Sequence, residues 1–502
     1  MKRLLAVALA VAATAPVSAR ELPRSTPEAQ GIPSAAILAF VDEAEEAVDA
    51  LHSLMIVRHG HVVAEGWWVP YQRDDAHEMY SLSKSFTSTA VGLAIAEGHF
   101  GLYDTVLSHF PEHAPAEPSD NLKAMRVHDL LRMNTGHHDE DLQTFQFFGG
   151  DVPLTKAFLD LPVAHAPGTH FLYNTPATYM LSAIVQKTTG QTLLDYLGPR
   201  LFEPLGIANP FWATSADGVS LGGFGLSITT EDIARFGQLY LQKGEWQGQQ
   251  LVPADWVEAA TSLQTANGSN PDSDWNQGYG YQFWMTRHGL YRGDGAFGQY
   301  CIVMDAHDAV IAITSATRDM GSVMNLLWKH ILPAMGESAL PADAAAAGEL
   351  ASRLANLSLP VQKGVATTAT AERVSGQRYV LPENPDGIEA IGLDTKDGAT
   401  SLVIGLEGEE WSLPMAHHEG WQRGGVLPAS GALPIASGER LAAGTGAWTA
   451  DDVFEGRFCL YEAVYCTSLK LRFGAEQVFF DHEMNVAFGD PTRPQLVGTL
   501  KK

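Results

Sequence analysis

The sequence is poor in cysteine and in positive charge. Its 502 residues include three cysteines, and 32 lysine and arginine residues stand against 58 aspartate and glutamate residues, a formal net charge of −26. So acidic a chain repels the phosphate backbone, and we expect no nucleic-acid partner. Beyond the N-terminal region no apolar run is long enough to cross a bilayer, so we also expect no transmembrane segment.

The spacings typical of zinc sites are missing as well. The sequence contains neither C-x-x-C nor H-E-x-x-H. The segment 137–141, His-His-Asp-Glu-Asp, is rich in potential ligands. Adjacent histidines in an acidic loop are more often a solvated turn, however. We therefore predict no metal and no organic cofactor.

The first residues have the pattern of a targeting segment. Lys2 and Arg3 precede an apolar run at residues 4–13, and residues 17–19 (Val-Ser-Ala) form a small-residue cleavage site. We expect residues 1–19 to be a signal peptide, cleaved near Ala19–Arg20. The mature protein is then expected to be periplasmic or secreted.

Export would permit a disulfide. Cys459 and Cys466 flank a predicted hairpin, and the pair is consistent either with a bridge or with two buried thiols. Cys301 lies in an apolar run, and we expect it to be a packed core thiol.

Hydrophobic patterning divides the chain into two structured parts. A hairpin is predicted at residues 54–67, helices dominate residues 101–200, and strands return between 280 and 314. Strands at both ends indicate one antiparallel sheet flanked by helices, with an all-helical insertion. We assign this α+β domain to residues 20–340.

The remaining residues have a different texture. An alanine-rich stretch predicts a linker and short helix at residues 341–360. Short alternating segments then recur between turns over residues 361–502, as is typical of a smaller antiparallel β-barrel or sandwich.

The stretch on which the functional interpretation depends is residues 80–100. From Ser81 to Glu97 it has no proline and one glycine, it is largely apolar, and Gly98 stands where a helix cap would fall. A buried helix is therefore predicted, with Ser81 and Lys84 on one face of its first turn.

The start of a buried helix is an unusual place for a lysine. The positive end of the helix dipole disfavours an ammonium group, so we expect Lys84 to accept a proton readily. A hydroxyl beside such an amine is an activated nucleophile. The structural alternative is that Ser81 caps the helix and Lys84 is solvated.

Two further segments complete this hypothesis. Tyr173, Asn174 and Thr175 precede a predicted helix at residues 178–189 and match a Y-x-[NST] element. The Tyr173 hydroxyl, with its pKa kept low by Lys84, can act as general base toward Ser81 and later toward water, and Thr175 is predicted to contact the substrate.

The second segment is the glycine-rich run 292–300. Its glycines, Gly295 among them, allow a ligand to approach the backbone at a sheet edge. A backbone amide of this run and the amide of Ser81 would then form an oxyanion hole.

In this order the segments resemble the serine β-lactamase-like hydrolases, which include class C β-lactamases, DD-peptidases, family VIII esterases and nylon-oligomer hydrolases. The resemblance covers roughly residues 25–335. It is carried by Ser81-Leu-Ser-Lys-Ser-Phe-Thr, residues 128–136, 171–190, 204–207, 222–227 and 298–300. It implies a β-lactamase/transpeptidase-like fold in which Ser81 is the nucleophile and Lys84 and Tyr173 transfer its proton.

One departure concerns the third element. Family members usually carry K-T-G or H-x-G there, whereas this chain has Arg292-Gly-Asp-Gly. The run Gly293-x-Gly295-x-x-Gly298 resembles the nylon-oligomer hydrolase type, which implies an oxyanion amide at Ala296; another register would place it at Gly293. Arg292 could replace the missing lysine or histidine as an anion binder.

A competing motif is G-x-S-x-G at residues 218–222, with Ser220 at its centre. An α/β-hydrolase elbow needs a strand before it and a helix after it, and neither is predicted here.

We therefore predict an exported serine hydrolase that cleaves a small-molecule ester or amide through a Ser81 acyl-enzyme. The alternatives are a β-lactam-interacting enzyme, either β-lactamase or DD-peptidase, and a non-catalytic binding or regulatory protein on the same scaffold. The sequence gives no prediction of oligomeric state.

Overall fold

The computed structural model describes residues 21–148, 150, 152–417, 420–428 and 439–501. The predicted signal peptide at residues 1–19 lies outside them. Among the described residues, no helix combines the length and apolar character needed to cross a membrane.

The first part of the chain is built on a six-stranded antiparallel sheet. Its strands, in spatial order, are His61–Trp67, Leu51–Arg58, Ala309–Ser315, Gln299–Met304, Tyr291–Gly295 and Trp284–Met285. The strand Leu51–Arg58 pairs with Ala309–Ser315, with Leu54 opposite Ile313. The two ends of this part therefore meet in one sheet, which confirms the sequence prediction.

The central strands are buried on both faces, because successive side chains point into two different cores. Met55 and Val57 face the core that contains the helix Thr230–Leu241. Leu54 and Ile56 face the core that contains the helix Ser34–Ala47. The sheet is thus flanked by helices, as expected. Cys301 is a free buried thiol, also as expected.

The helices lie mainly between the two groups of strands. The α-helices are Ser34–Ala47, Ser83–Ala96, Val106–His109, Asp120–Ala124, Val127–Leu131, Asp139–Gln143, Leu154–Asp160, Thr175–Thr189, Leu193–Leu197, Glu203–Leu205, Thr230–Leu241, Ala254–Ala260, Met320–Leu326, Ala344–Ala355 and Ala369–Val374. Short 3-10 or π turns occur at Glu28–Gln30, Tyr80–Leu82, Pro111–His113, Gly198–Phe202, Arg287–Gly289, Asp305–His307, Leu327–Ile331 and Leu332–Ala334.

Two short sheets support this part of the fold. One joins His77–Glu78, Leu226–Ile228 and Phe211–Trp212, and the other joins Glu245–Trp246 and Gln249–Gln250.

The strand predicted at residues 280–285 is mostly a turn. The Gly280 amide donates to the Phe283 carbonyl, and Gln282 has a φ of 65°. A Cβ on Gly280 would lie 2.0 Å from the Ala260 carbonyl oxygen, so the glycine serves a close approach and not a strand.

The C-terminal part is a β-barrel. Of the two architectures that the sequence predicts, barrel or sandwich, the structure therefore has the barrel. Its strands, in spatial order, are Glu409–Ala416, Ala399–Leu406, Ile388–Lys396, Tyr379–Val380, Leu496–Leu500, Gln477–Met484, Cys466–Phe473, Val453–Leu460, Glu439–Ala450 and Gln422–Pro428. Glu409–Ala416 also pairs in parallel with Glu439–Ala450, which closes a ring of nine strands within the described residues, with Gln422–Pro428 alongside.

The barrel packs directly onto the segment that leads to Ser81. Cys459 and Cys466 form a disulfide, so of the two alternatives the structure has the bridge. The turn between them touches the first domain at two points. The Glu78 amide donates to the Glu462 carbonyl at 2.9 Å, and the Tyr71 hydroxyl donates to the Ala463 carbonyl at 3.1 Å. The domain limits near residues 340 and 361 stay a prediction.

Candidate active site

Ser81 lies in the 3-10 turn Tyr80–Leu82, two residues before the helix Ser83–Ala96 begins. The strand His77–Glu78 holds this turn in place, and the Met79 amide donates to the Leu226 carbonyl at 2.8 Å. Tyr80 has a φ of 46°, in the left-handed region that non-glycine residues rarely adopt. Such strain persists where the surroundings enforce it, and it commonly marks a functional segment.

Lys84 is in the first turn of the buried helix and is 1% exposed. Its Nζ lies 3.0 Å from Ser81 Oγ. It donates to the Gly223 carbonyl at 2.7 Å and to Thr175 Oγ1 at 3.2 Å. All three neighbours are uncharged, so among the described residues no carboxylate is in contact with an ammonium group here.

This environment favours the neutral amine. Burial lowers the pKa of Lys84 to about 7, against an opposing effect of the Asp294 carboxylate. A neutral amine has two N–H bonds for Gly223 and Thr175 and one lone pair for the Ser81 hydroxyl. The geometry therefore suits Lys84 as the acceptor of the Ser81 proton.

Tyr173 lies against the other side of this amine. Lys84 Nζ is 4.9 Å from the centre of its ring, and the ring stacks on Trp284 at 5.3 Å. Burial raises the pKa of Tyr173 well above its usual value, with a further rise caused by Asp294. This direction opposes the expectation that Lys84 keeps the Tyr173 pKa low, and it makes Tyr173 a proton donor at neutral pH.

Thr175 begins the helix Thr175–Thr189, three residues earlier than the sequence pattern suggests. The earlier start follows from Asn174, whose side chain caps the helix by accepting from the Ala177 amide at 2.9 Å. The cap fixes Thr175 with its hydroxyl toward Lys84.

The hairpin turn after the strand Tyr291–Gly295 carries the proposed oxyanion amide. Phe297 and Gly298 have φ values of 64° and 95°. A Cβ on Gly295 would lie 2.1 Å from the Met79 carbonyl oxygen, so only glycine allows this strand end to approach the Ser81 turn. Within the described chain, no acceptor is paired with the Ala296 amide. This is the state expected of an amide available to an oxyanion.

Arg292 is 0% exposed and does not line the cavity. Its guanidinium binds the Asp294 carboxylate, with Nη2 at 2.8 Å and Nε at 3.0 Å, and Nη1 donates to the Asp274 carbonyl at 2.9 Å. In this arrangement the side chain that faces the cavity is Asp294, and Arg292 is its counter-ion behind it.

A cavity of about 560 Å³ opens over Ser81. Of the predicted residues, Ser81, Tyr173, Thr175, Gly295 and Ala296 all line it. The structure thus brings these five to one place, with Lys84 beneath them.

The sequence reasoning missed several residues around this cavity. Gly223, whose carbonyl accepts from Lys84, lies in the glycine-rich segment 222–227, for which the sequence predicts no role. Asp294 lies two residues from Arg292 on the same face of the strand. The cavity is also lined by aromatic side chains to which the sequence assigned no role: Phe224 of the segment 222–227, and five residues outside the short motifs, namely Phe147, Phe148, Trp275, Trp284 and Phe488.

The competing motifs do not form sites. Ser220 of G-x-S-x-G is buried, between neither the strand nor the helix that an elbow requires. His137 is buried too, against the expected solvated turn, and its Nδ1 lies 2.9 Å from Thr135 Oγ1. In the described part of the chain, no three His, Cys, Asp or Glu side chains are grouped so as to hold a metal ion.

Comparison with known proteins identifies the family. The sequence model of the family described as Beta-lactamase matches residues 21–334. The 6-aminohexanoate-dimer hydrolase of Paenarthrobacter ureafaciens is 27% identical over 286 residues, which cover 53% of this chain and 73% of that protein.

A solved structure shows the same fold. A Bacillus anthracis protein named "Putative 6-aminohexanoate-dimer hydrolase" superposes with a TM-score of 0.54 at 20% identity, covering 65% of this chain and 90% of its own. An octameric penicillin-binding protein homologue from Pyrococcus abyssi aligns over 93% of this chain and 99% of its own, with a TM-score of 0.49 and 16% identity.

Proposed function

This chain belongs to the beta-lactamase family, and from that premise we propose that it hydrolyses a small ester or amide through an acyl-enzyme on Ser81. The observation that carries the proposal is the contact between Ser81 Oγ and Lys84 Nζ, because that amine is buried among uncharged partners. A neutral lysine next to a serine hydroxyl has little use in a purely structural role.

The reaction follows from the placement of the groups. Ser81 Oγ forms a bond to the substrate carbonyl carbon, and its proton passes to Lys84 Nζ. The amides of Ser81 and Ala296 bind the resulting oxyanion. When the bond to the leaving group breaks, Tyr173 gives its hydroxyl proton to the departing alcohol or amine and recovers one from Lys84. Water then attacks the acyl-enzyme by the same route and releases the acid.

The cavity favours an ester or amide substrate without a carboxylate. Among its described lining residues there is no lysine, arginine or histidine, and Arg292 is already bound to Asp294. A substrate carboxylate would therefore lose its hydration without finding a cation. This supports an amide or ester substrate without a carboxylate over a β-lactam, and also over the 6-aminohexanoate dimer named for the Paenarthrobacter relative, which carries one.

We also propose that the protein is exported. The targeting pattern at residues 1–19 supports this, and so does the Cys459–Cys466 disulfide, since such bonds persist in oxidising compartments. Fractionation of cells that express the full chain, with N-terminal sequencing of the mature protein, tests it. An intact N-terminus in the cytoplasmic fraction would contradict it.

The catalytic proposal is tested by covalent labelling. The purified protein is incubated separately with a fluorophosphonate and with penicillin, and its intact mass is measured. We expect one fluorophosphonate adduct, absent in Ser81→Ala and retained in Ser220→Ala, the matched serine control from the G-x-S-x-G motif. We expect no penicillin adduct.

Other results have distinct meanings. An adduct that survives in Ser81→Ala would place the nucleophile elsewhere. A penicillin adduct would move the assignment to the β-lactam-interacting enzymes. Absence of any adduct on the wild-type protein would favour a non-catalytic binding protein.

A further inference from the structure

The C-terminal barrel contributes a side chain to the cavity above Ser81. Phe488 lies in the connection between the strands Gln477–Met484 and Leu496–Leu500, and it lines the cavity beside residues of the first domain. Its side chain is 68% exposed. Part of its ring is therefore available to a bound molecule.

Phe488 contacts the two segments that carry the oxyanion amides. Its ring centre is 5.9 Å from that of Tyr80, which precedes Ser81, and 4.9 Å from that of Phe297, which follows Ala296. Tyr80 and Phe297 meet edge to face at 5.6 Å. The three rings form one cluster directly beside the proposed oxyanion hole.

The chain that carries Phe488 is fixed at its base. The Asn485 side chain accepts from the Cys466 amide and donates to the Val464 carbonyl, each at 2.9 Å. Val486 is fully buried in the barrel core. From the first domain, Arg318 Nε donates to the Asn485 carbonyl at 3.1 Å. Phe488 is thus held over the cavity by both domains and by the disulfide-bonded turn.

The side chains that line the cavity indicate what kind of molecule Phe488 would contact. Eight of the described lining residues are aromatic, and the one charged residue, Asp294, is paired with Arg292. Aromatic walls gain from burying apolar surface, whereas an ionic group on the substrate would be desolvated without a free partner.

We propose that Phe488 determines the specificity of this enzyme, and that it selects uncharged substrates with an apolar acyl chain or an apolar alcohol or amine. The proposal rests on the proposed hydrolase activity of Ser81. It assigns the barrel a direct part in substrate binding.

The test uses three esters: ethyl acetate, ethyl hexanoate and phenyl acetate. Acid release is followed by pH-stat with the wild type, Phe488→Ala and Phe488→Leu. The matched control is Phe479→Ala, which removes a barrel phenylalanine that does not line the cavity and contacts Arg472 instead. Because Phe488 is largely exposed, its substitution leaves the barrel core intact.

We expect Phe488→Ala to lower kcat/KM about tenfold for at least one of the larger esters, mainly through KM, and to leave ethyl acetate within about twofold. Loss on ethyl hexanoate would place Phe488 on the acyl side, and loss on phenyl acetate on the alcohol side. Phe488→Leu should recover most of the loss, and Phe479→Ala should show none. Equal effects on all three esters, or no effect, would overturn the proposal.

A second readout separates this proposal from the catalytic one. The two larger esters are titrated by ligand-observed NMR against Ser81→Ala, with and without Phe488→Ala. If the wild type hydrolyses none of the three esters, the kinetic comparison gives no result and this titration alone decides, while the catalytic proposal is decided by the fluorophosphonate labelling of Ser81. Weaker binding of these esters to the variant that also lacks Phe488 supports the proposed role of Phe488, and unchanged binding overturns it.

Discussion

Two buried basic side chains in the same site differ in their partners. Lys84 is 1% exposed and Arg292 is 0% exposed. Lys84 Nζ lies 4.9 Å from the ring centre of Tyr173, and the Arg292 guanidinium lies 5.8 Å from that of Trp284, which stacks on Tyr173. Burial is nearly equal, so the two side chains differ in their chemistry and in what they touch: a guanidinium keeps its proton in proteins, whereas a buried lysine can lose it.

Arg292 touches a carboxylate and Lys84 does not. Two nitrogens of Arg292 contact Asp294, whereas Lys84 meets a hydroxyl of serine, a hydroxyl of threonine and a backbone carbonyl. A buried charge with a counter-ion stays charged, and one without a counter-ion gives up its proton. Burial alone therefore does not make a base; a buried lysine needs neutral neighbours as well.

The largest effect is expected from removing the amine. Lys84→Met should lower kcat/KM by at least about 10⁴-fold, since the Ser81 proton then has no acceptor. The free energy of unfolding should change by less than about 2 kcal/mol, because an uncharged group is replaced by one of similar size and one carbonyl loses its donor. Ester hydrolysis and urea denaturation measure the two quantities. Retained activity would refute the role of Lys84 as base.

Arg292→Met should show the opposite pattern. The Asp294 carboxylate would remain buried without its counter-ion, so the free energy of unfolding should fall by about 3–5 kcal/mol. The control is the double variant Arg292→Met/Asp294→Leu, which removes both charges and should regain most of that loss. Urea denaturation of the three proteins decides. If Arg292→Met lowers the free energy of unfolding no more than Lys84→Met does, the two side chains do not differ in their need for a counter-ion.

Much of the fold was predictable because it depends on local hydrophobic pattern. The hairpin of Leu51–Arg58 and His61–Trp67 and the buried Ser83–Ala96 helix follow from apolar runs and turn residues. The barrel strands Gln422–Pro428 and Glu439–Ala450 carry no such signal, since glycine, alanine and proline leave them without apolar alternation. They become strands through pairing with neighbours that the sequence pattern does not show.

The site divides in the same way. Ser81, Lys84 and Tyr173 belong to short motifs, so chemistry within a few residues was enough to nominate them. Phe488 reaches the cavity from a domain more than 400 residues further along the chain, and no local pattern encodes that approach. The pairing of Arg292 with Asp294 was equally hidden, because it depends on which way two side chains of one strand turn. Asp294, the acidic member of this pair, also raises the pKa of Lys84 against the larger effect of burial.

The smallest expected effect tests this last link through pH. Lys84 must be unprotonated to accept the Ser81 proton, so kcat/KM should decline as the pH falls below the Lys84 pKa of about 7. The Asp294 carboxylate favours the ammonium form and raises the Lys84 pKa. Arg292→Gln/Asp294→Asn removes both charges without leaving one unpaired, so the Lys84 pKa should fall. The acidic limb should then move to lower pH by less than about one unit.

Asp120→Asn, which removes an exposed carboxylate on another helix, should leave the pH profile unchanged, because solvent and salt screen that charge. If the acidic limb of the pH profile does not move in the double variant, burial alone determines the pKa of Lys84. A shift of the limb to higher pH would contradict the role of Asp294 altogether.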